Sequence, residues 1–174
     1  MKWFFAIFAA LALAACASPS PQDYAAEHPV LDLRTFLDGK IDAWGVVQDR
    51  SGKVLKRMTV EMTASWRGEV GTLDERFTYA DGTKETRVWT IRKNGDRYTG
   101  TAADVRGEAQ GIASGNSLRW NYVLEARRDS GGTIALDMDD WMYLIDARTM
   151  MNRTSFSKLG IRLGEVTFVF RKRD

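Results

Sequence analysis

Alternation of apolar and polar residues, repeated in short segments along most of the chain, is the feature that most constrains the fold. In one such segment Met58, Val60, Met62, Ala64 and Trp66 alternate with polar residues. A period of two is typical of a β-strand with one buried face. Similar patterns cover residues 72–79, 84–92, 97–104, 105–113, 117–126, 133–145, 149–157 and 161–170. The sequence therefore predicts an all-β domain.

Turn signals separate these segments at short and regular intervals. They are Ser51-Gly52, Asp81-Gly82, Asn94-Gly95, Gly115-Asn116 and Gly131-Gly132. Many short strands joined by tight hairpins favour an antiparallel up-and-down β-barrel of the lipocalin-like type, which leaves no exposed edge strand. A β-sandwich is the alternative, but segments that could form its long crossover connections are scarce.

One short helix is predicted before the first strand. Leu31, Leu33, Phe36 and Leu37 recur at near-helical spacing, and Gly39 can end the helix in a left-handed conformation. The predicted barrel domain comprises this helix and the strands, residues 31–174.

The turn residues also predict which residues face one another on neighbouring strands. A three-residue loop at residues 80–82 pairs Glu75 with Arg87. This loop, with two-residue turns at Asn94-Gly95 and Gly115-Asn116, gives the other pairs: Leu73–Trp89, Ile91–Tyr98, Trp89–Gly100, Arg87–Ala102, Ala113–Leu118, Gly111–Trp120 and Ala109–Tyr122. Apolar residues then share one face in all three hairpins, with small residues opposite large rings.

Several polar and aromatic residues fall on this predicted inner face. The candidate ligand-binding residues are Glu75, Arg87, Trp89, Asp104, Trp120, Tyr122, Met138, Asp140, Met142 and Asn152. Because an unpaired buried charge is costly, we expect Glu75 and Arg87 to form an ion pair. Such a pair can simply fix the strand register. Alternatively, these groups orient an amphipathic ligand in a cavity of at least about 300 Å³.

The N-terminus has the anatomy of a secretory signal peptide. Residues 1–15 combine Lys2 with an uncharged apolar run, and Cys16 follows as the only cysteine. Leu13-Ala14-Ala15-Cys16 resembles a bacterial lipobox, which implies cleavage before Cys16 and lipid modification of its sulfur. The alternative is an ordinary exported protein with a free thiol.

Residues 16–30 are predicted to be a flexible tether, because all three prolines of the chain lie there. The lipobox resemblance implies an outer-membrane lipoprotein facing the periplasm, since Ala17 and Ser18 follow the cysteine and no aspartate does. The membrane, reached through this anchor, is one predicted partner. A lipid-like small molecule is the other.

The composition argues against several function classes. A formal net charge of +2, from 25 basic and 23 acidic residues, is too small for a nucleic-acid-binding protein. The only histidine, His28, lies in the predicted tether, and no cofactor or metal site is expected. An enzyme using Glu75 and Asp140 as paired carboxylates is conceivable, but we favour a non-enzymatic role. The sequence does not define an oligomeric state.

Several short motifs together resemble the bacterial lipoprotein family known as domain-of-unknown-function family 3833. They are Ala43-Trp44-Gly45, Gln48-Asp49-Arg50, Gly71-Thr72-Leu73-Asp74-Glu75, Arg87-Val88-Trp89, Gly100, Ala103-Asp104-Val105, Gly107, Gly115-Asn116, Asp139-Asp140-Trp141-Met142, Asn152-Arg153 and Lys158-Leu159-Gly160. The resemblance implies the fold and the envelope location but no established activity. Proteins similar to this family occur among genes for fatty-acid modification, so the resemblance also favours a lipid ligand.

Two functions follow as hypotheses. The first is a membrane-anchored barrel that binds an apolar or amphipathic molecule such as a fatty-acyl chain. The second is a non-catalytic scaffold with a filled core, which would dock partners through an exposed apolar patch and through outward arginines. The candidate docking residues are Arg50, Arg106, Arg119 and Arg153.

Overall fold

Ten antiparallel strands close into one barrel in the part of the chain that the structure describes, residues 18–128 and 130–173. In this computed structural model a 3-10 turn, Pro21–Tyr24, precedes the helix α1, Leu33–Leu37. The strands are β1 (Gly39–Asp49), β2 (Val54–Arg67), β3 (Val70–Tyr79), β4 (Lys84–Asn94), β5 (Arg97–Thr101), β6 (Val105–Ser114), β7 (Ser117–Arg127), β8 (Thr133–Leu144), β9 (Thr149–Lys158) and β10 (Ile161–Lys172). The predicted all-β barrel with one short helix is confirmed.

Each strand pairs with its neighbour in sequence, and β1 pairs with β10 to complete the circle. This last ladder runs from Ile41 opposite Lys172 to Asp49 opposite Gly164. The sheet is a single closed barrel rather than the two packed sheets of the β-sandwich alternative. Because the described residues contain a complete core and a closed sheet, we expect the chain from Ser18 onward to fold by itself.

The helix α1 covers one end of the barrel. Its first turn is capped by Asp32, whose Oδ1 accepts hydrogen bonds from the backbone N–H groups of Arg34 and Thr35. The face carrying Leu33, Phe36 and Leu37 is buried against the core. Gly39 has φ +99°, as expected for the residue that redirects the chain from the helix into β1. The hairpins β1–β2, β3–β4, β5–β6, β7–β8 and β9–β10 lie at the opposite end of the barrel, which is open.

Part of the predicted tether is folded against the outside of the barrel. Pro21 is buried, and the Tyr24 ring packs edge-on against Trp141 and Tyr143, with centroids 5.8 and 5.5 Å away. The backbone N–H of Leu31 donates to the carbonyl of Gly115 at 2.8 Å. The segment predicted to be a flexible tether is therefore held against the barrel at Pro21, at Tyr24 and at the backbone of Leu31, because burial of the Pro21 and Tyr24 side chains stabilises the folded position. Cys16 and Ala17 lie outside the described residues.

Four of the eight predicted strand pairings are found, among them Glu75 opposite Arg87 and Leu73 opposite Trp89. The pairings Ala113–Leu118 and Gly111–Trp120 are also found. A bulge between residues 106 and 110 interrupts the ladder before Ala109 and Tyr122, so this pair is absent from it. Trp141 lies on the outer face of the barrel, where Tyr24 of the 3-10 turn packs against its ring.

The predicted register of the β4–β5 hairpin is wrong by two residues. Ile91 pairs with Gly100, because the turn consists of Gly95 and Asp96 rather than of Asn94 and Gly95. The predicted pairs Ile91–Tyr98, Trp89–Gly100 and Arg87–Ala102 are therefore not formed. A shift of two keeps every side chain on its predicted face. The strand also ends at Thr101 rather than at residue 104, which places Asp104 in the following loop.

A candidate ligand-binding cavity inside the barrel

The barrel encloses a cavity of about 990 Å³ between α1 and the open end. All ten candidate residues line this single cavity, although they come from five strands and one loop. They are Glu75, Arg87, Trp89, Asp104, Trp120, Tyr122, Met138, Asp140, Met142 and Asn152. The structure thus brings together every predicted side chain of the site.

Along the barrel axis, from α1 to the open end, the residues that line the cavity form three levels. The level next to α1 is apolar and includes Leu33, Met150 and Phe170. The level at the open end combines aromatic rings such as Phe77 and Phe156 with charged side chains at the mouth. Between them lies a polar belt, which we define as Glu75, Arg87, Asp104, Tyr122, Asp140, Asn152 and Thr154. An amphipathic guest would therefore find polar partners halfway along the channel.

Two glycines allow large rings to lie flat against the wall beside the belt. A Cβ at Gly111 would come within 2.9 Å of the Trp120 ring, and a Cβ at Gly100 within 3.2 Å of the Trp89 ring. The Trp89 ring packs edge-on against Tyr122, with centroids 5.7 Å apart. The predicted arrangement of small residues opposite large rings therefore shapes this side of the cavity.

The Arg87 guanidinium is held mainly by Asp104. Its Nε and Nη2 donate to Asp104 Oδ2 at 2.9 and 2.8 Å. Its Nη1 lies 3.7 Å from Glu75 Oε2, which makes an ion pair but not a hydrogen bond. The predicted Glu75–Arg87 ion pair is present, yet sequence reasoning missed that Asp104 is the closer partner of Arg87. The error in the β4–β5 register hid this contact, because the correct register moves Asp104 next to Arg87.

Glu75 is a buried acid. Removal of the side chain from water raises its pKa to about 7, and the positive charge of Arg87 and a hydrogen bond with Trp89 only partly oppose this effect. The nearby carboxylates of Asp104 and Asp140 act in the same direction as burial. Burial disfavours the charge of Arg87 as well, but the carboxylates of Glu75 and Asp104 outweigh it and raise the Arg87 pKa. Glu75 therefore titrates near neutral pH while Arg87 stays charged.

Asp140 is the second buried acid of the belt. Burial raises its pKa to about 6, against the effect of hydrogen bonds from Asn152 and Thr154. The Asn152 side-chain N–H groups donate to Asp140 and, at 3.1 Å, to the carbonyl of Trp141. The Tyr122 hydroxyl lies 3.5 Å from Asp140 Oδ2. Thr154 was not among the predicted residues, although its position two residues after Asn152 on β9 indicates the same inward face.

The belt thus holds two buried carboxyl groups whose pKa values are raised, Glu75 and Asp140, and a carboxylate-based enzyme would use the same two groups. Within residues 18–128 and 130–173, no group of three or more histidine, cysteine or acidic residues is arranged to hold a metal ion. In the same part of the chain, no helix has the length and apolar character needed to cross a bilayer.

A closed antiparallel barrel around a cavity of this size defines a lipocalin-like protein. The particular family follows from the sequence itself: the profile of DUF3833, described as "protein of unknown function", matches residues 10–172. The chain belongs to this family, as its motifs indicated. No curated protein sequence matches it significantly.

Three solved structures share the fold at low sequence identity. A protein of the DUF3598 family from Nostoc punctiforme is 12% identical, with a TM-score of 0.58 over 85% of this chain and 51% of its own. This chain thus spans about half the length of that protein, 51%. The S-type phycobiliprotein lyase CPES from Guillardia theta is 5% identical, with a TM-score of 0.58 over 90% of this chain and 99% of its own. Rv2717c from M. tuberculosis is 13% identical, with a TM-score of 0.57 over 85% and 99%. These likenesses concern the fold alone.

Proposed function

We propose that this protein is a lipid-anchored protein of the bacterial envelope that binds an apolar or amphipathic small molecule, such as a fatty-acyl chain, inside its barrel. The cavity carries the proposal. Its volume of about 990 Å³ lies at the upper end of the range of about 300–1,000 Å³ that is typical of ligand sites. Its walls combine apolar and aromatic side chains with a belt of polar groups halfway along, which suits a molecule that has both an apolar and a polar part.

The alternative of a docking module with a filled core has less support. A cavity replaces the filled core that it requires. Three of the four outward arginines are engaged with carboxylates of the chain: Arg106 with Glu125, Arg119 with Asp139 and Arg153 with Glu165. An arginine already paired in this way contributes little to binding a partner.

A membrane anchor at Cys16 accounts for one feature of the outer wall. Trp44 is opposite Val169, and Val169 is opposite Met151, so these exposed side chains form an apolar row across three neighbouring strands. The row continues to Tyr143, against which the N-terminal segment packs. We propose that this row lies against the lipid surface to which the anchor holds the barrel.

Ligand binding can be tested by filling the cavity. The variant Met138→Trp, in a chain starting at Ser18, replaces a methionine of the cavity wall with a larger aromatic side chain. We expect its affinity for the neutral apolar probe N-phenylnaphthylamine to fall by about tenfold or more, which corresponds to about 1.4 kcal/mol. The measurement is a fluorescence titration. Met151→Trp is the matched control, because Met151 lies on the outer face of the neighbouring strand and is 43% exposed. Equal affinity of both variants for the probe would show that the cavity is not the binding site.

The anchor can be tested independently in cells. We expect Cys16→Ser to move most of the protein from the membrane fraction to the soluble fraction, because the thiol that would carry the lipid is gone. Cell fractionation followed by immunoblotting measures this distribution. Thr35→Ser, a similarly small change in α1, should leave it unchanged. Retention of Cys16→Ser in the membrane fraction would rule out the anchor.

A further inference from the structure

The wall of the cavity contains a buried hydrogen-bond acceptor without a donor. Glu75 is only 8% exposed, and its Oε2 has no hydrogen-bond partner among the described residues. The nearest cation, Arg87 Nη1, is 3.7 Å away, beyond the usual hydrogen-bond range of about 2.7–3.2 Å. Leaving such an atom unsatisfied is unfavourable, so a donor supplied from within the cavity would be stabilised there.

Arg87 is poorly placed to receive an anionic ligand. Its Nε and Nη2 are already committed to Asp104 at 2.8–2.9 Å. Its Nη1 is directed towards Glu75. A ligand carboxylate would therefore compete with two carboxyl groups of the protein for one guanidinium.

The balance of charges in the polar belt also disfavours an anionic ligand. One cationic side chain, Arg87, faces three acidic side chains: Glu75, Asp104 and Asp140. Each carboxylate that ionises adds repulsion for an incoming anion, and the low polarity of the surroundings strengthens this effect. Near the mouth, the basic and acidic side chains lining the cavity nearly balance; they are Lys56, Lys84, Arg127, Glu85 and Glu125.

We propose that the ligand has a polar head that carries a hydrogen-bond donor and no negative charge, and that this head donates to Oε2 of Glu75. The inference rests on the proposed function and narrows its ligand class. It selects long-chain amines, alcohols or amides over free fatty acids. The apolar part of the ligand then contacts the walls above or below the belt, which are lined by residues such as Met150 and Phe156.

Three probes with the same chain test this choice: dodecylamine, dodecanol and dodecanoate. Each is titrated against the chain from Ser18 loaded with N-phenylnaphthylamine, at about pH 8, where a carboxyl with the raised pKa of Glu75 is mostly ionised. We expect dodecylamine and dodecanol to displace the probe at concentrations about tenfold or more below that of dodecanoate.

The variant Glu75→Gln keeps the shape of the side chain but removes its charge. In this variant most of the preference for dodecylamine should be lost. Dodecanoate should then displace the probe at a lower concentration than it does from the unchanged protein. Glu108→Gln, an exposed position on β6, should behave as the unchanged protein does. If the probe binds but dodecanoate displaces it as well as the amine and the alcohol, the head-group inference is overturned while the proposed function stands. If the probe does not bind and none of the three compounds does, the proposed function fails as well.

Discussion

Replacing Arg87 with leucine is expected to destabilise the barrel by about 3 kcal/mol near pH 8, because breaking a buried ion pair leaves its partner charges without compensation. Among the residues that the structure describes, Arg87 is the only cation that contacts both Glu75 and Asp104. Glu75 is almost fully buried, so its charge has little access to water. Urea unfolding followed by tryptophan fluorescence measures the free energy of unfolding.

Two comparisons separate this effect from the loss of a long side chain. Arg106→Leu removes an arginine whose side chain is 64% exposed and which pairs with Glu125, so we expect a loss of about 1 kcal/mol or less. Adding Glu75→Leu to Arg87→Leu should recover part of the lost stability, because the isolated buried charge is then removed. If Arg87→Leu costs no more than Arg106→Leu, the belt is not the buried ionic network described above.

The second large effect concerns the pH dependence of stability. Glu75 has its pKa raised from 4.5 to about 7 in the folded protein, so between these values the folded state binds more protons than the unfolded state. Stability therefore falls as the pH rises through this window and levels off above the folded pKa. A shift of this size corresponds to about 3 kcal/mol for a fully buried group. Asp140, raised from 3.8 to about 6, acts in the same direction over a lower window.

Glu75→Gln removes this contribution. We expect the variant to be more stable than the unchanged protein above about pH 7, by up to about 3 kcal/mol, and to show a smaller loss of stability between about pH 5 and pH 8. Thermal or urea unfolding at a series of pH values measures both quantities. Glu69→Gln is the matched control, because the Glu69 side chain is 58% exposed and should leave the pH profile unchanged. An identical pH profile in Glu75→Gln would show that Glu75 has an ordinary pKa.

The barrel could be predicted from the sequence because its determinants are local. A period of two marks each strand, and glycine-containing turns mark most hairpins. The set of cavity residues was also predictable, because a side chain's face depends only on odd or even position along the strand. The two-residue error at Gly95-Asp96 therefore moved Asp104 along the wall without turning it to the outside.

The contacts that depend on distant parts of the chain could not be predicted in the same way. The 3-10 turn is held by the rings of Trp141 and Tyr143, more than a hundred residues away in sequence, and its own residues have no periodic pattern. Predicting the ion pair of Arg87 and Asp104 requires the correct register of the β4–β5 hairpin. That register depends on whether the turn lies at residues 94–95 or at residues 95–96. The size of the cavity depends on how large and small side chains mesh across the barrel, which no single segment encodes.

Pairing of the first strand with the last has a consequence for how the chain reaches its native state. Residues 39–49 cannot form their second ladder until residues 161–172 have been synthesised. Contacts so far apart in sequence are associated with slow folding, since a long loop must be closed before they are made. Until that seam forms, β1 and β10 are both open edges that can pair with other chains. Synthesis of β10 thus decides when the two open edges can close and the risk of aggregation falls.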